Sequence, residues 1–243
     1  EVLARYRVFK AEAPPPRSET PDAKREREAP PQPEEARASP PAIVIQVEEA
    51  PASPEALAIL EDGIRLEREG RIGKAAERYR DALARDSTLG EARNRLGLLA
   101  LRVGRLEEAR REFEAALRLH PESARLLNNL GLVFHLKGEF RTALVFFRKA
   151  WEREPSKVES ALNLAIAYVQ FGQRAEAKAL LATVLNRSER VPEAHLNLGS
   201  LLEAEGDRAG AIRHYQRFLE LTARQDSPLR AQVAERLAAL RGR

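Results

Sequence analysis

Between Ala56 and Gln225 apolar residues recur at three- and four-residue spacing in short blocks, the periodicity of amphipathic helices rather than strands. The blocks come in pairs, and the pairs keep a fixed phase of 34 residues. Gly63, Gly97, Gly131 and Gly199 fall on one comb, with Ala165 filling its fourth place. A second comb, seven residues later, holds Gly70, Gly104, Gly138, Gly172 and Gly206. A third runs through Ala75, Ala109, Ala143, Ala177 and Ala211, and four residues beyond each lies a bulky side chain: Tyr79, Phe113, Phe147, Leu181 or Tyr215.

Helix geometry gives each comb a task. A glycine of the second comb ends the first helix of a unit, where a positive φ is wanted. The small residue of the first comb lets two helices approach closely, and the alanine of the third does the same from the second helix. The large side chain one turn further is expected to fill the space between neighbouring units. Pro121 and Pro155 stop second helices, and Ser87 holds the equivalent place in the first unit.

These residues resemble the tetratricopeptide repeat pattern: Leu-Gly near the start, Gly at the turn, Ala followed by Tyr or Phe, Ala, and a closing Pro. Leu126 to Pro155, LLNNLGLVFHLKGEFRTALVFFRKAWEREP, shows it most fully. Asp62 departs from it in place of Leu, Ala165 in place of Gly, Val184 and Phe218 in place of small Ala, and Glu189 and Ala223 in place of Pro, without shifting the phase. The resemblance implies an all-α fold, a right-handed α–α superhelix of five repeats at 56–89, 90–123, 124–157, 158–191 and 192–225. Ser227 and Pro228 then open a last helix, 228–241. Its stripe of Leu229, Val233, Leu237 and Leu240 is expected to cap the array.

The N-terminal part reads differently. Residues 1–54 are expected to be a largely disordered, proline-rich arm, crowded with Pro, Ala, Glu and Arg from Ala11 onwards and stiffened by proline. Two short pieces break that pattern, EVLARYRVFK at 1–10 with one apolar helical face and the β-branched AIVIQV at 42–47. Either could engage a second protein or fold back to fill the solenoid's own groove. The chain opens on Glu1 and contains no methionine, so a cleaved signal peptide or a membrane anchor could lie upstream. No stretch approaches the roughly 18 apolar residues of a membrane span.

Composition excludes some chemistry. With no cysteine there is neither a disulfide nor a thiolate nucleophile. Lys and Arg exceed Asp and Glu by only 41 to 37, too little to point to nucleic acid. His120, His135, His195 and His214 lack metal-ligand spacing, and the glycines follow the combs rather than a phosphate loop, so no metal, cofactor or catalytic residue is expected. Trp151 takes the place of Leu83, Leu117, Leu185 and Leu219 in other units and is read as core. Asn186-Arg187-Ser188 matches a glycosylation pattern too short to be informative.

What remains is binding. The resemblance implies that the first helix of each unit lines the concave surface. Asn129, Asn163 and Asn197 recur there at the 34-residue interval, with Arg95 in the same place in the second repeat. Asn is a mediocre helix former, so helix propensity does not call for it. A carboxamide donates and accepts, so a row of them can pair with the backbone of an extended peptide, or merely solvate the groove. The row resembles the asparagine ladder of O-linked N-acetylglucosamine transferases, which implies backbone recognition, although no transferase domain is present. Leu98, Leu101, Leu132, Ile166 and Val169 are expected as an apolar floor between the rungs, with Arg125 and His135 completing the peptide-binding set.

The expectation is a non-catalytic scaffold or assembly factor that holds a protein or extended peptide in its groove. An arm followed by repeats resembles bacterial envelope proteins that assist pilus or secretion machines, which favours the periplasm or envelope over the cytoplasm. The competing expectation is the substrate-recognition module of an enzyme whose catalytic part lies elsewhere.

Overall fold

The computed structural model describes residues 52–242; the expectations for EVLARYRVFK and AIVIQV lie outside them. Eleven α-helices and no strand are found among the described residues. They form five antiparallel pairs and a final helix: α1 (Pro54–Arg68) with α2 (Ile72–Arg85), α3 (Gly90–Arg102) with α4 (Leu106–Leu119), α5 (Ala124–Leu136) with α6 (Phe140–Arg153), α7 (Val158–Gln170) with α8 (Arg174–Arg187), α9 (Pro192–Ala204) with α10 (Arg208–Leu221), then α11 (Pro228–Gly242). Each second helix packs on the first helix of the following pair, so that the pairs stack into an all-α solenoid.

Each turn inside a pair is built alike. Gly70, Gly104, Gly138, Gly172 and Gly206 adopt φ between 73° and 83°, a region costly for any residue with a Cβ. The next residue turns its N–H back to a carbonyl five residues earlier, as from Arg105 to Ala100 (2.9 Å) and from Glu139 to Phe134 (2.9 Å). This closes the last turn of the first helix and reverses the chain within three residues.

The first comb marks where helices touch. A Cβ placed on Gly63, Gly97, Gly131 or Gly199 would lie 2.6 to 2.8 Å from the ring of Tyr79, Phe113, Phe147 or Tyr215, respectively. No real Cβ tolerates that approach, so the glycine is required by the aromatic ring opposite it. The fourth pair reaches the same end another way. Ala165 and Leu181 are both fully buried there, so a methyl on one helix is matched by a smaller side chain on the other. The Ala75, Ala109, Ala143, Ala177 and Ala211 comb is completely buried, as close packing requires.

The core runs along the stack. One cluster joins the second to fifth pairs, a second occupies the first two, and a third unites Leu196, Tyr215 and Phe218 with Val233 and Leu237 of α11. The last helix thus covers the apolar face that the fifth pair would otherwise expose. Trp151 packs half-buried against the central cluster, with the Arg187 guanidinium 5.6 Å from its ring.

Substitution at the first comb tests this packing. Gly131→Ala is expected to lower stability by about 1–3 kcal/mol through overpacking against Phe147. Gly131→Ala combined with Phe147→Leu, which copies Ala165 and Leu181, should recover most of the loss in thermal melts followed by circular dichroism.

Candidate functional site

The first helices supply one row of side chains per turn, and α5 and α7 touch directly along it. Of the residues expected there, Arg95, Leu98, Asn163 and Val169 are half-buried and Arg125 is exposed. Leu132, Ile166 and His135 lie beneath them, buried. Two members sit deeper than their spacing suggests. Leu101 is 1% exposed and belongs to the central core, and Asn197 is 0% exposed. Neither presents surface to a guest, because the stacked neighbour closes over positions that a single helix would leave open.

The asparagines are largely engaged with one another. Asn129 Nδ2 donates to Asn94 Oδ1 at 3.0 Å, and Asn163 Nδ2 donates to Asn128 Oδ1 at 2.9 Å. Each bond joins one first helix to the next, so the amides fix the register between repeats before any guest arrives. Asn128 and Asn163 keep part of their surface open. A primary amide has two donor hydrogens and two acceptor lone pairs, so one internal bond leaves hydrogen-bonding capacity in a pre-oriented group.

Both ends of the row carry charge, and it is neutralised internally. Glu67 accepts from Tyr79 Oη at 2.6 Å and from Arg95 Nη1 at 3.1 Å. Arg95 Nε also donates to Glu91 at 2.9 Å, and Glu91 accepts from Arg125 at 2.7 Å. At the far end Glu203 accepts from Tyr215 Oη at 2.7 Å and from Arg236 of α11. The arrangement is matched pair by pair. Where the first helix carries Glu67 or Glu203, the second offers a tyrosine; where it carries Leu101, His135 or Val169, the second offers Phe113, Phe147 or Leu181. Burial, then the hydrogen bond to the adjacent carboxylate, pushes both phenols well above the ordinary tyrosine value, so they remain neutral donors.

Between these brackets Leu98, Asn128, Asn129, Asn163, Ile166 and Val169 form an uncharged strip, with Arg125 and Glu159 beside it at the starts of α5 and α7. Leu132, His135, Phe147, Asn163 and Ile166 surround a small crevice at its middle. His135 stacks edge-on against Phe140 at 5.3 Å, and burial pushes its pKa down, so it is neutral near pH 7. Among the described residues no group of three or more His, Asp or Glu side chains is placed to hold a metal ion, and no helix is long and apolar enough to cross a membrane.

Family models for the tetratricopeptide repeat match residues 60–112, 94–156, 135–201 and 194–229. The chain belongs to the tetratricopeptide repeat family. No curated protein matches it. Among solved structures of such repeat proteins, it is similar to PilW, described as a widely conserved type IV pilus biogenesis factor, with a TM-score of 0.69 and 19% identity over 79% of this chain and 88% of that one. It is also similar to PilF of Pseudomonas aeruginosa, with a TM-score of 0.67 and 22% identity over 76% and 83% of the two chains. A third is YrrB, described as a tetratricopeptide repeat protein with an unusual peptide-binding site, with a TM-score of 0.58 and 22% identity over 74% and 92%. At these identities the likeness establishes the fold. Together with the family match it makes the repeats a protein-interaction scaffold.

The amide pairs give a direct prediction. Asn129→Ala strands the carbonyl oxygen of Asn94, itself 1% exposed, and is expected to cost about 1–3 kcal/mol. Replacing both Asn94 and Asn129 by Leu should cost markedly less, as read from urea unfolding of the two variants.

Proposed function

We propose that this protein is a non-catalytic assembly scaffold that holds an extended, uncharged segment of a partner protein across the first helices of its second to fourth repeats. The observation that carries this reading is the contrast along the row. Leu98, Asn128, Asn163 and Val169 offer apolar and amide surface in the middle, whereas Glu67 and Glu203 at the ends are already satisfied by Tyr79 with Arg95 and by Tyr215 with Arg236. A charged guest would lose hydration over the centre without gaining a free counter-charge there, whereas an apolar segment loses little.

The dimensions fit a short guest. Helices pack about 8–10 Å apart, so the axes of three successive first helices, two spacings, span roughly 16–20 Å. An extended chain at about 3.3 Å per residue crosses that distance in about five to six residues. Alternate side chains of such a segment would meet Leu98, Val169 and the floor of Leu132, His135 and Ile166, while its backbone meets Asn163 with Asn129 behind it. Arg125 stands at the rim, held by Glu91. The likeness to PilW, a type IV pilus biogenesis factor, supports a place in a bacterial pilus or envelope assembly, and the peptide-binding site of YrrB supports peptide binding on this fold.

Photo-crosslinking distinguishes this face from the others. A benzophenone amino acid at position 98 or 169 is expected to capture the partner, and one at Val145, exposed on α6, is not. Leu98→Asp with Val169→Asp should weaken binding of the captured partner more than tenfold, about 1.4 kcal/mol, with helical content unchanged. Undiminished binding would reject the face as the site.

A further inference from the structure

In the fifth repeat two histidines face one another from the two helices of a single pair. His195 on α9 and His214 on α10 approach with their Nδ1 atoms 3.0 Å apart and their ring centroids 5.2 Å apart. On its other side His195 Nε2 lies 3.0 Å from the carbonyl oxygen of Glu189, in the linker between α8 and α9. In the second repeat the equivalent positions hold Arg93 and Glu112, an ion pair at 3.5 Å; the third has Leu127 and Phe146, and the fourth Ala161 and Leu180. The fifth alone among these four places two titratable groups of the same kind together.

Hydrogen-bond chemistry fixes the protons. A carbonyl oxygen only accepts, so His195 Nε2 carries a hydrogen and donates to Glu189. In neutral His195 the Nδ1 is then bare and must accept, so His214 donates from Nδ1 and keeps a bare Nε2. The pair takes one further proton, at His214 Nε2, without breaking either bond. A second has only His195 Nδ1 to occupy, where it would set one N–H against another and place two cations side by side.

We propose that His195 and His214 form a proton-limited latch that joins α9, α10 and the α8–α9 linker at neutral pH and releases them on acidification. The charged groups acting on the latch are Glu189 in the linker, Asp207 ahead of α10, and Arg213, Arg217 and Glu220 on α10. Glu189, Asp207 and Glu220 favour the charged rings and Arg213 and Arg217 oppose them, and burial, the largest influence on both, sets the net direction. Burial pushes both imidazoles below their ordinary value of 6.5, Arg217 acts the same way on His195 and Arg213 on His214, and a charge on either ring opposes charging of the other. The folded state therefore binds fewer protons than the unfolded chain. The stabilisation is complete above the unfolded value of about 6.5 and is lost as pH falls below it towards the folded values. The same helix α9 carries Asn197, Ser200 and Glu203, so release of the latch loosens the far end of the first-helix row.

Nitrogen-detected NMR of the full chain tests the proton assignment. At about pH 7.5 His195 is expected in the Nε2–H form and His214 in the Nδ1–H form. Lowering the pH should protonate His214 before His195. The second step should bring at least a threefold rise in amide exchange over residues 186–221, after correction for intrinsic rates, with α1 to α4 unaffected. His214→Asn keeps a donor near the Nδ1 position without titrating, and it should abolish most of that rise. Reversed tautomers, independent titration of the two rings, or an undiminished rise in the Asn variant would each overturn the proposal.

Discussion

In four of the five repeats an aromatic ring on the second helix lies where the Cβ of a first-helix residue would be, and a glycine makes room for it. This contact sets how closely the two helices of a pair approach. The separation in turn decides which side chains of the first helix reach the next repeat and which remain on its face. Between repeats, the amide bonds from Asn129 to Asn94 and from Asn163 to Asn128 tie one first helix to the next. The fourth repeat keeps the spacing with Ala165 and Leu181, which shows that the constraint is the sum of the two side chains rather than either one.

The same ring carries information about polarity. Tyr79 and Tyr215 bring a hydroxyl to Glu67 and Glu203 at the two ends, and Phe113, Phe147 and Leu181 bring none to the middle. The choice between tyrosine and an apolar residue in the core is therefore coupled to the surface of the opposite helix. It divides the row into two charged, self-satisfied ends and an uncharged centre. Packing and recognition are written with the same residues, so a substitution made to alter one acts on the other.

Much of this was legible in the sequence, because the combs of glycine and alanine record local needs: a positive φ at Gly138, a missing Cβ at Gly131, close approach at Ala143. The stripe of α11 was equally plain, and Val233 and Leu237 are buried as it implied. The site was harder to read. Alignment on a 34-residue interval picks out Asn129, Asn163 and Asn197, but the amide bonds join residues 35 apart and so draw in Asn94 and Asn128, which lie on the neighbouring comb. Reading the two combs against each other would have found them. The burial of Leu101 and Asn197 depends on how the next repeat settles, which no single helix encodes. The pairing of His195 with His214 joins two elements that carry no shared motif.

The tie between Glu203 and Arg236 has a consequence for the history and the engineering of the array. Units that arise by copying begin as interchangeable modules, yet here the terminal helix docks through a carboxylate that the third and fourth modules lack, since they carry His135 and Val169 in its place. A chain shortened by deleting the fifth module would bring the closing helix against a partner with no acceptor for its arginine. The order of the modules has become part of the fold, and lengthening such an array is best done by insertion in its middle.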